Sequence, residues 1–352
     1  MQSTHNSLIF LSVWLNNKQK IFSVMKKLWS ILLLGALSML FAEVFSGAST
    51  LWFIDGWGLL LAYPLYLAHA IFFLNVAFLW KKTSPRQLYF FGMLFGLYEA
   101  LITKVLWFGY PNATGPTVGY FFGVAWGEFL TLVLFYHPIM SFIIPVFVYE
   151  LLSGDVLPGH ERFLQKNWRT YFLIILLVVM GASFQSNGSK YDVVRSVGSM
   201  GGSLLIVLVL HLLSKGKNLQ SLVLGKKAFL GVLVYLLILY GTTTLVIFPE
   251  RLPTQILSYL LIFLWYLVAV GLLWADRYTS MVTPLKSKFF SANELGIIAV
   301  FLVCMTFLCS FSSQITYGVL LVMFVSLMGA GIVLFFISLG SLGKQRITMR
   351  LS

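Results

Sequence analysis

Acidic residues are scarce in this chain: 11 Asp and Glu in 352 positions, against 24 Lys and Arg. Charged residues make up 10% of the sequence and apolar ones 59%, where a soluble domain carries about 25% charged. That balance excludes an ordinary soluble domain, and the same apolarity excludes a disordered chain. There are two cysteines, Cys304 and Cys309, both in one apolar run. Their spacing suits neither a metal site nor a disulfide framework, so packing is expected for both. H-E-x-x-H, G-x-S-x-G and phosphate-loop motifs are absent, and no cofactor is named by the sequence. The net charge of +13 comes from basic residues scattered through short polar segments, which speaks against nucleic acid as a partner.

What the chain has in abundance is hydrophobic runs of membrane-spanning length. A bilayer core needs about 20 apolar helical residues to cross. Runs over 28–47, 58–80, 87–108, 118–150, 169–186, 197–214, 228–248, 254–275, 295–312 and 315–340 predict an all-α polytopic bundle of about ten transmembrane helices, between nine and eleven. Stretches such as Leu204 to Leu210 are apolar on every side, unlike the alternation of a transmembrane barrel. The expected organisation is an N-terminal extension (1–27), a subdomain carrying the polar residues (28–152), an apolar subdomain (153–340) and a tail (341–352). The fourth run is too long for one upright helix, and Pro138 and Pro145 are expected to bend it or break it into a span and an interfacial piece.

Basic residues accumulate in cytoplasmic loops. With ten spans and an inner N-terminus, 20 of the 24 basic residues fall inside, predicting cytoplasmic termini and a plasma-membrane location. The sequons at Asn112 and Asn187 fall in loops read as external and are expected to be ordinary polar turns. Met25-Lys26-Lys27 before an apolar run resembles a signal peptide, so residues 1–24 are read as an extension upstream of a true start. Glu43 inside the run favours an uncleaved first span.

Ionisable residues within a bilayer are costly and are functional candidates by default. They concentrate early: Glu43 in the first span, His69 in the second, Glu99 and Lys104 in the third, and Glu128 and His137 in the fourth. Counting the rise per residue from the span edges places His69, Glu99 and Glu128 near the midplane. There they suit a proton relay or, if a metal is bound, its ligands. Gly92 and Gly96, with Glu99 on the same helical face, and Gly119, Gly123 and Gly127 are expected to let helices approach closely. Lys104 is expected to snorkel outward, and His137 to be structural near the inner interface. Ser46 lies near Glu43, and Asp55 belongs to the same outer region. The leading expectation is a proton- or ion-coupled transporter of a small solute. The alternatives are an intramembrane enzyme, metal-dependent or not, acting on a lipid-linked or membrane-peptide substrate, and a non-catalytic subunit of a membrane complex.

Overall fold

The computed structural model describes residues 24–110, 118–216, 218–279, 284–286 and 289–351. The expectations about residues 1–23 and the sequon at Asn112 lie outside them. The helices are α1 (Val24–Val44), α2 (Gly58–Leu79), α3 (Pro85–Ile102), α4 (Val105–Phe108), α5 (Trp126–Ser153), α6 (Glu161–Leu164), α7 (Trp168–Gly188), α8 (Val193–Leu213), α9 (Lys226–Val246), α10 (Ile256–Ala275), α11 (Ala292–Phe311) and α12 (Ser313–Leu351). Among the described residues nine helices are long and apolar enough to cross a membrane. Helix α3, of 18 residues, falls outside that set, made more polar by Arg86, Gln87 and Glu99. It is about 27 Å long at the usual helical rise.

Local chemistry sets where these helices begin. Ser84 and Gln87 form a reciprocal capping box ahead of α3, with Pro85 at the first helical position. Asn167, Asp192 and Ser291 accept backbone N–H groups at the starts of α7, α8 and α11. Two pairs of two-residue strands complete the architecture. β1 (Tyr120–Phe121) lies antiparallel to β2 (Val124–Ala125), and β3 (Asp155–Val156) to β4 (Leu285–Lys286).

The fourth run departs from the expected boundaries. Residues 120–125 are a β-hairpin, and α5 starts at Trp126 and runs unbroken to Ser153. Gly119 and Gly123 have φ of +65° and +70°, a left-handed backbone that glycine adopts freely and that a helix excludes. These two glycines therefore shape a turn and do not form a helix-packing stripe. Pro138 does not break α5 because the segment Leu132–Ile143 is wound as a π-helix. Shorter π-helical segments occur at Leu40–Val44 in α1 and Gly58–Ala62 in α2.

Contacts sort the connections onto two opposite faces. On one, Arg86 pairs with Asp276 at 2.7 Å and donates to Ser341 at 2.9 Å. Lys27 donates to the Val223 carbonyl and Lys166 pairs with Glu294 at 2.7 Å. The β3–β4 pair lies on this face too. On the other face, the segment after α1 is pinned to α8: Leu51 N–H donates to Ser199 Oγ (3.1 Å) and Trp52 Nε1 to Ser203 Oγ (2.9 Å). There too Trp107 meets Tyr259, their rings 4.9 Å apart.

Burial is uneven. The apolar windows of α1, α2 and α5 are 61%, 56% and 67% buried, against 11–22% for α9 to α12. The packed core is therefore built mainly from the first helices together with α3, whose Phe90, Phe91, Met93 and Phe95 are buried. Apolar faces of the later helices are left to lipid. Cys309 touches Ser183 at 3.8 Å, whereas Cys304 is exposed on α11, so packing accounts for the first cysteine and not the second.

Candidate functional site

The glycines of α3 bring that helix against the π-helical part of α5. A Cβ on Gly92 would lie 2.4 Å from Pro138 Cα, and one on Gly96 3.1 Å from His137 Cβ. Close approach of this kind is what small residues permit in a membrane bundle. It delivers Glu99, three residues further along α3, to His137: the carboxylate Oε2 lies 2.9 Å from Nε2. The approach is off the direction of the ring N–H, so this is a close polar contact and not a linear hydrogen bond. The other ring nitrogen, Nδ1, is 3.0 Å from Ser141 Oγ. His137 is buried and is the twelfth residue of α5, so it lies well within the helix and not at the inner interface. Pro138 lacks an N–H, and π-winding, frequent at functional positions, surrounds both residues.

Glu43 joins the same neighbourhood from the π-helical end of α1. Its Oε1 accepts from Tyr66 Oη at 2.6 Å and its Oε2 from Ser49 Oγ at 2.5 Å. The Tyr66 ring stacks at 6.4 Å beside His137, and Glu43 lies within electrostatic range of both Glu99 and His137. Ser46 donates to the Glu43 carbonyl at 3.0 Å, ending the helix as a local cap.

His69 has Nδ1 2.8 Å from the Leu65 carbonyl, so Nδ1 donates, and its ring stacks on Phe95 at 4.9 Å. It feels the charge of Glu99 without touching it. Glu128 is fully buried in the first turn of α5, not ten residues into a span, because the hairpin consumes the residues counted as helix. The positive end of the helix dipole favours a carboxylate there. Tyr110 shows that Glu128 and Glu99 border one region: desolvation first, then these two charges, push its phenol above the usual range. His69, Glu99 and Glu128 are thus neighbours around one core but do not converge. Among the described residues no three His, Cys, Asp or Glu side chains group as a metal site.

Lys104 does not snorkel. It is fully buried with φ of +58°, and its ammonium donates to the carbonyls of Ile102 (3.2 Å), Thr243 (2.7 Å) and Ile247. It caps the C-terminal ends of α3 and α9, where cations are favoured. Gly127 meets the Val118 carbonyl, 2.7 Å from where its Cβ would sit, and serves the hairpin.

Sequence reasoning missed His160 and Glu150. Both side chains have no exposed surface, and His160 Nδ1 is 2.9 Å from Glu150 Oε1. Their ten-residue separation across Gly154 and Gly159 was the available signal.

A surface cleft adjoins the cluster. A cleft of about 450 Å³ on the face holding the α1–α2 segment is lined by Ser49, Asp55, Trp57 and Arg195 among others. Ser49 connects it directly to Glu43. The Asn187 sequon flanks the same region: Ser189 is buried, and a Cβ on Gly188 would lie 2.0 Å from the Gly47 carbonyl oxygen, so this is a packed turn.

A protein from Archaeoglobus fulgidus, described as an uncharacterized protein, is 37% identical over 149 residues, 41% of this chain and 46% of the relative. The chain thus spans about half the length of that relative. No solved structure matches. A family profile described as an uncharacterized membrane protein family matches residues 32–344. With hydrophobic helices throughout that range, this is a multi-pass integral membrane protein, and the chain belongs to that family.

Proposed function

We propose that this protein is a proton-coupled carrier of a small solute. One observation carries the reading: a line of ionisable and hydroxyl groups leads from the open cleft into the core, from Ser49 through Glu43 and Tyr66 to His137 and Glu99. Buried carboxylates are stable when neutralised by a proton or a cationic partner. A proton taken up at His137 Nε2 makes the ring the counter-ion of Glu99. Its loss obliges the Glu99 carboxylate to take a proton itself or to find another cation. Coupling sites of carriers commonly sit between packed helices within the membrane. The positive-inside bias supports cytoplasmic termini in a plasma membrane, because the face holding Lys27, Lys82, Arg86 and Lys166 is the basic one.

The test is gradient-driven accumulation. Proteoliposomes with an alkaline interior are given an isotopically labelled extract of small metabolites, and mass spectrometry identifies what enters. At least one solute is expected to accumulate above protein-free vesicles. Glu99→Gln and His137→Gln are expected to reduce that accumulation at least tenfold while keeping a monodisperse protein. Accumulation unchanged in both variants, or absent in the wild type, rejects the reading.

A second reading rests on the 2.5 Å contact between Ser49 Oγ and Glu43 Oε2 at the cleft, where a carboxylate could act as base for a hydroxyl nucleophile on a lipid-linked or membrane-peptide substrate. Labelling of Ser49 by a fluorophosphonate, lost in Glu43→Gln, would favour this enzyme over the carrier. Normal cellular phenotype in all these variants would leave a non-catalytic subunit.

A further inference from the structure

The cleft lined by Ser49 carries opposite charges on its walls, and they do not neutralise each other. Asp55 lies just before α2 and Arg195 in the first turn of α8, and both are exposed and line the same space. Asp55 spends one oxygen, Oδ2, on the Gly58 N–H at 2.8 Å. The Arg195 backbone N–H is held by Asp192 at 2.9 Å, while its guanidinium makes no hydrogen bond or ion pair among the described residues. The two charges therefore share one cleft without forming a contact ion pair. A volume of about 450 Å³ falls within the usual range of small-ligand pockets, about 300–1,000 Å³.

We propose that this cleft binds a zwitterion, its anionic group on Arg195 and its ammonium on Asp55. A guanidinium matches the two oxygens of a carboxylate or phosphate through paired N–H donors, and the free Asp55 oxygen accepts from an ammonium. Ser49 lies in the same cleft and already donates to Glu43, so a ligand that reaches Ser49 sits one hydrogen bond from the Glu43 carboxyl group. Occupancy and protonation would thereby be linked. This assignment rests on the carrier reading and names its substrate class. Two sources share the chemistry. Exposed Ile54 (74%) and Trp57 (59%) form an apolar lip, as expected at a membrane interface, so the ligand is either a free solute or a zwitterionic lipid headgroup.

The experiment uses the purified full chain in detergent micelles. Alanine and O-phosphoethanolamine are titrated as two-charge probes, and ethanolamine and inorganic phosphate as half-probes. Binding is read by tryptophan fluorescence and by the shift in thermal midpoint. A two-charge probe is expected to bind at least tenfold more tightly than either half. Arg195→Gln and Asp55→Asn are each expected to weaken it at least tenfold. The Asn variant keeps an acceptor for the Gly58 N–H, so α2 retains its start. Selective binding of alanine identifies a free solute. Selective binding of O-phosphoethanolamine, competed by phosphatidylethanolamine but not phosphatidylglycerol nanodiscs, identifies a headgroup.

No saturable binding of a two-charge probe, or affinities within twofold of wild type in both variants, overturns the proposal. Failure here with gradient-driven accumulation intact removes the ligand assignment and leaves the carrier. Zwitterion binding as described, with no accumulation, removes the carrier and leaves the cleft a binding site.

Discussion

His160 and Glu150 pair with no exposed surface on either side chain, and both ring nitrogens face oxygen atoms. Nδ1 lies 2.9 Å from Glu150 Oε1 and Nε2 lies 2.8 Å from the Thr83 carbonyl. The imidazole thus bridges the Glu150 carboxyl group and the Thr83 carbonyl. It ties the α2–α3 connection to the end of α5. Replacing His160 by Ala strands a buried carboxylate, and the expected loss is about 3–5 kcal/mol of unfolding free energy. Chemical denaturation in detergent measures it, and the paired His160→Leu, Glu150→Leu variant should recover most of the loss.

The Glu99–His137 contact predicts energetic coupling. A double-mutant cycle with Glu99→Gln and His137→Gln should give an interaction of about 0.5–3 kcal/mol, the range for residues in direct contact. Strict additivity would show that the two groups merely lie side by side.

Backbone-to-backbone packing at the cleft predicts sensitivity to a single methyl group. A Cβ on Gly47, whose φ is +72°, would lie 2.2 Å from the Phe184 carbonyl oxygen. Gly47→Ala and Gly188→Ala should each cost about 1–3 kcal/mol. Gly231→Ala, where nothing lies within 4 Å, should be neutral or slightly stabilising through helix propensity. Thermal midpoints of the three variants decide.

Lys104 predicts a local effect on two helix ends. Lys104→Met removes the shared donor of three carbonyls and should cost about 1–3 kcal/mol. Hydrogen exchange should accelerate at the end of α9 around Thr243 to Ile247, and solute accumulation per folded molecule should be unchanged.

The two-faced arrangement of loops predicts opposite labelling. In a Cys304→Ala, Cys309→Ala background, single cysteines at positions 166 and 255 should react with an impermeant maleimide from opposite sides of sealed vesicles. Labelling from the same side would refute an odd number of traverses between them.

Much of this architecture is legible in the sequence because lipid demands long apolar helices and little else of them. The concentration of ionisable groups in the first four spans is equally plain, since each stands alone in an apolar run. What periodicity could not convey is backbone form. Gly119 and Gly123 sit four apart like a packing stripe, yet their positive φ makes a hairpin, and that displaced Glu128 from the estimated midplane. Pro138 signals a bend, but not that π-winding would keep α5 whole and turn His137 toward Glu99. Lys104 and His160 were opaque for another reason: their partners are carbonyls and a carboxylate remote in the chain, and no local spacing announces them.

The π-helical stretch of α5 has a consequence for how this site can change. A π turn is in effect one extra residue accommodated in a helix, and one residue corresponds to about 100° of rotation. Deleting a single apolar residue between Leu132 and Tyr136 would leave a helix still long enough to span. Where the π-winding relaxes to absorb the loss, Glu128 keeps its orientation relative to His137; where it persists, everything before the deletion, Glu128 included, swings around the helix axis. Chain length and winding in this segment are therefore together as much a determinant of the site as the identity of any side chain in it.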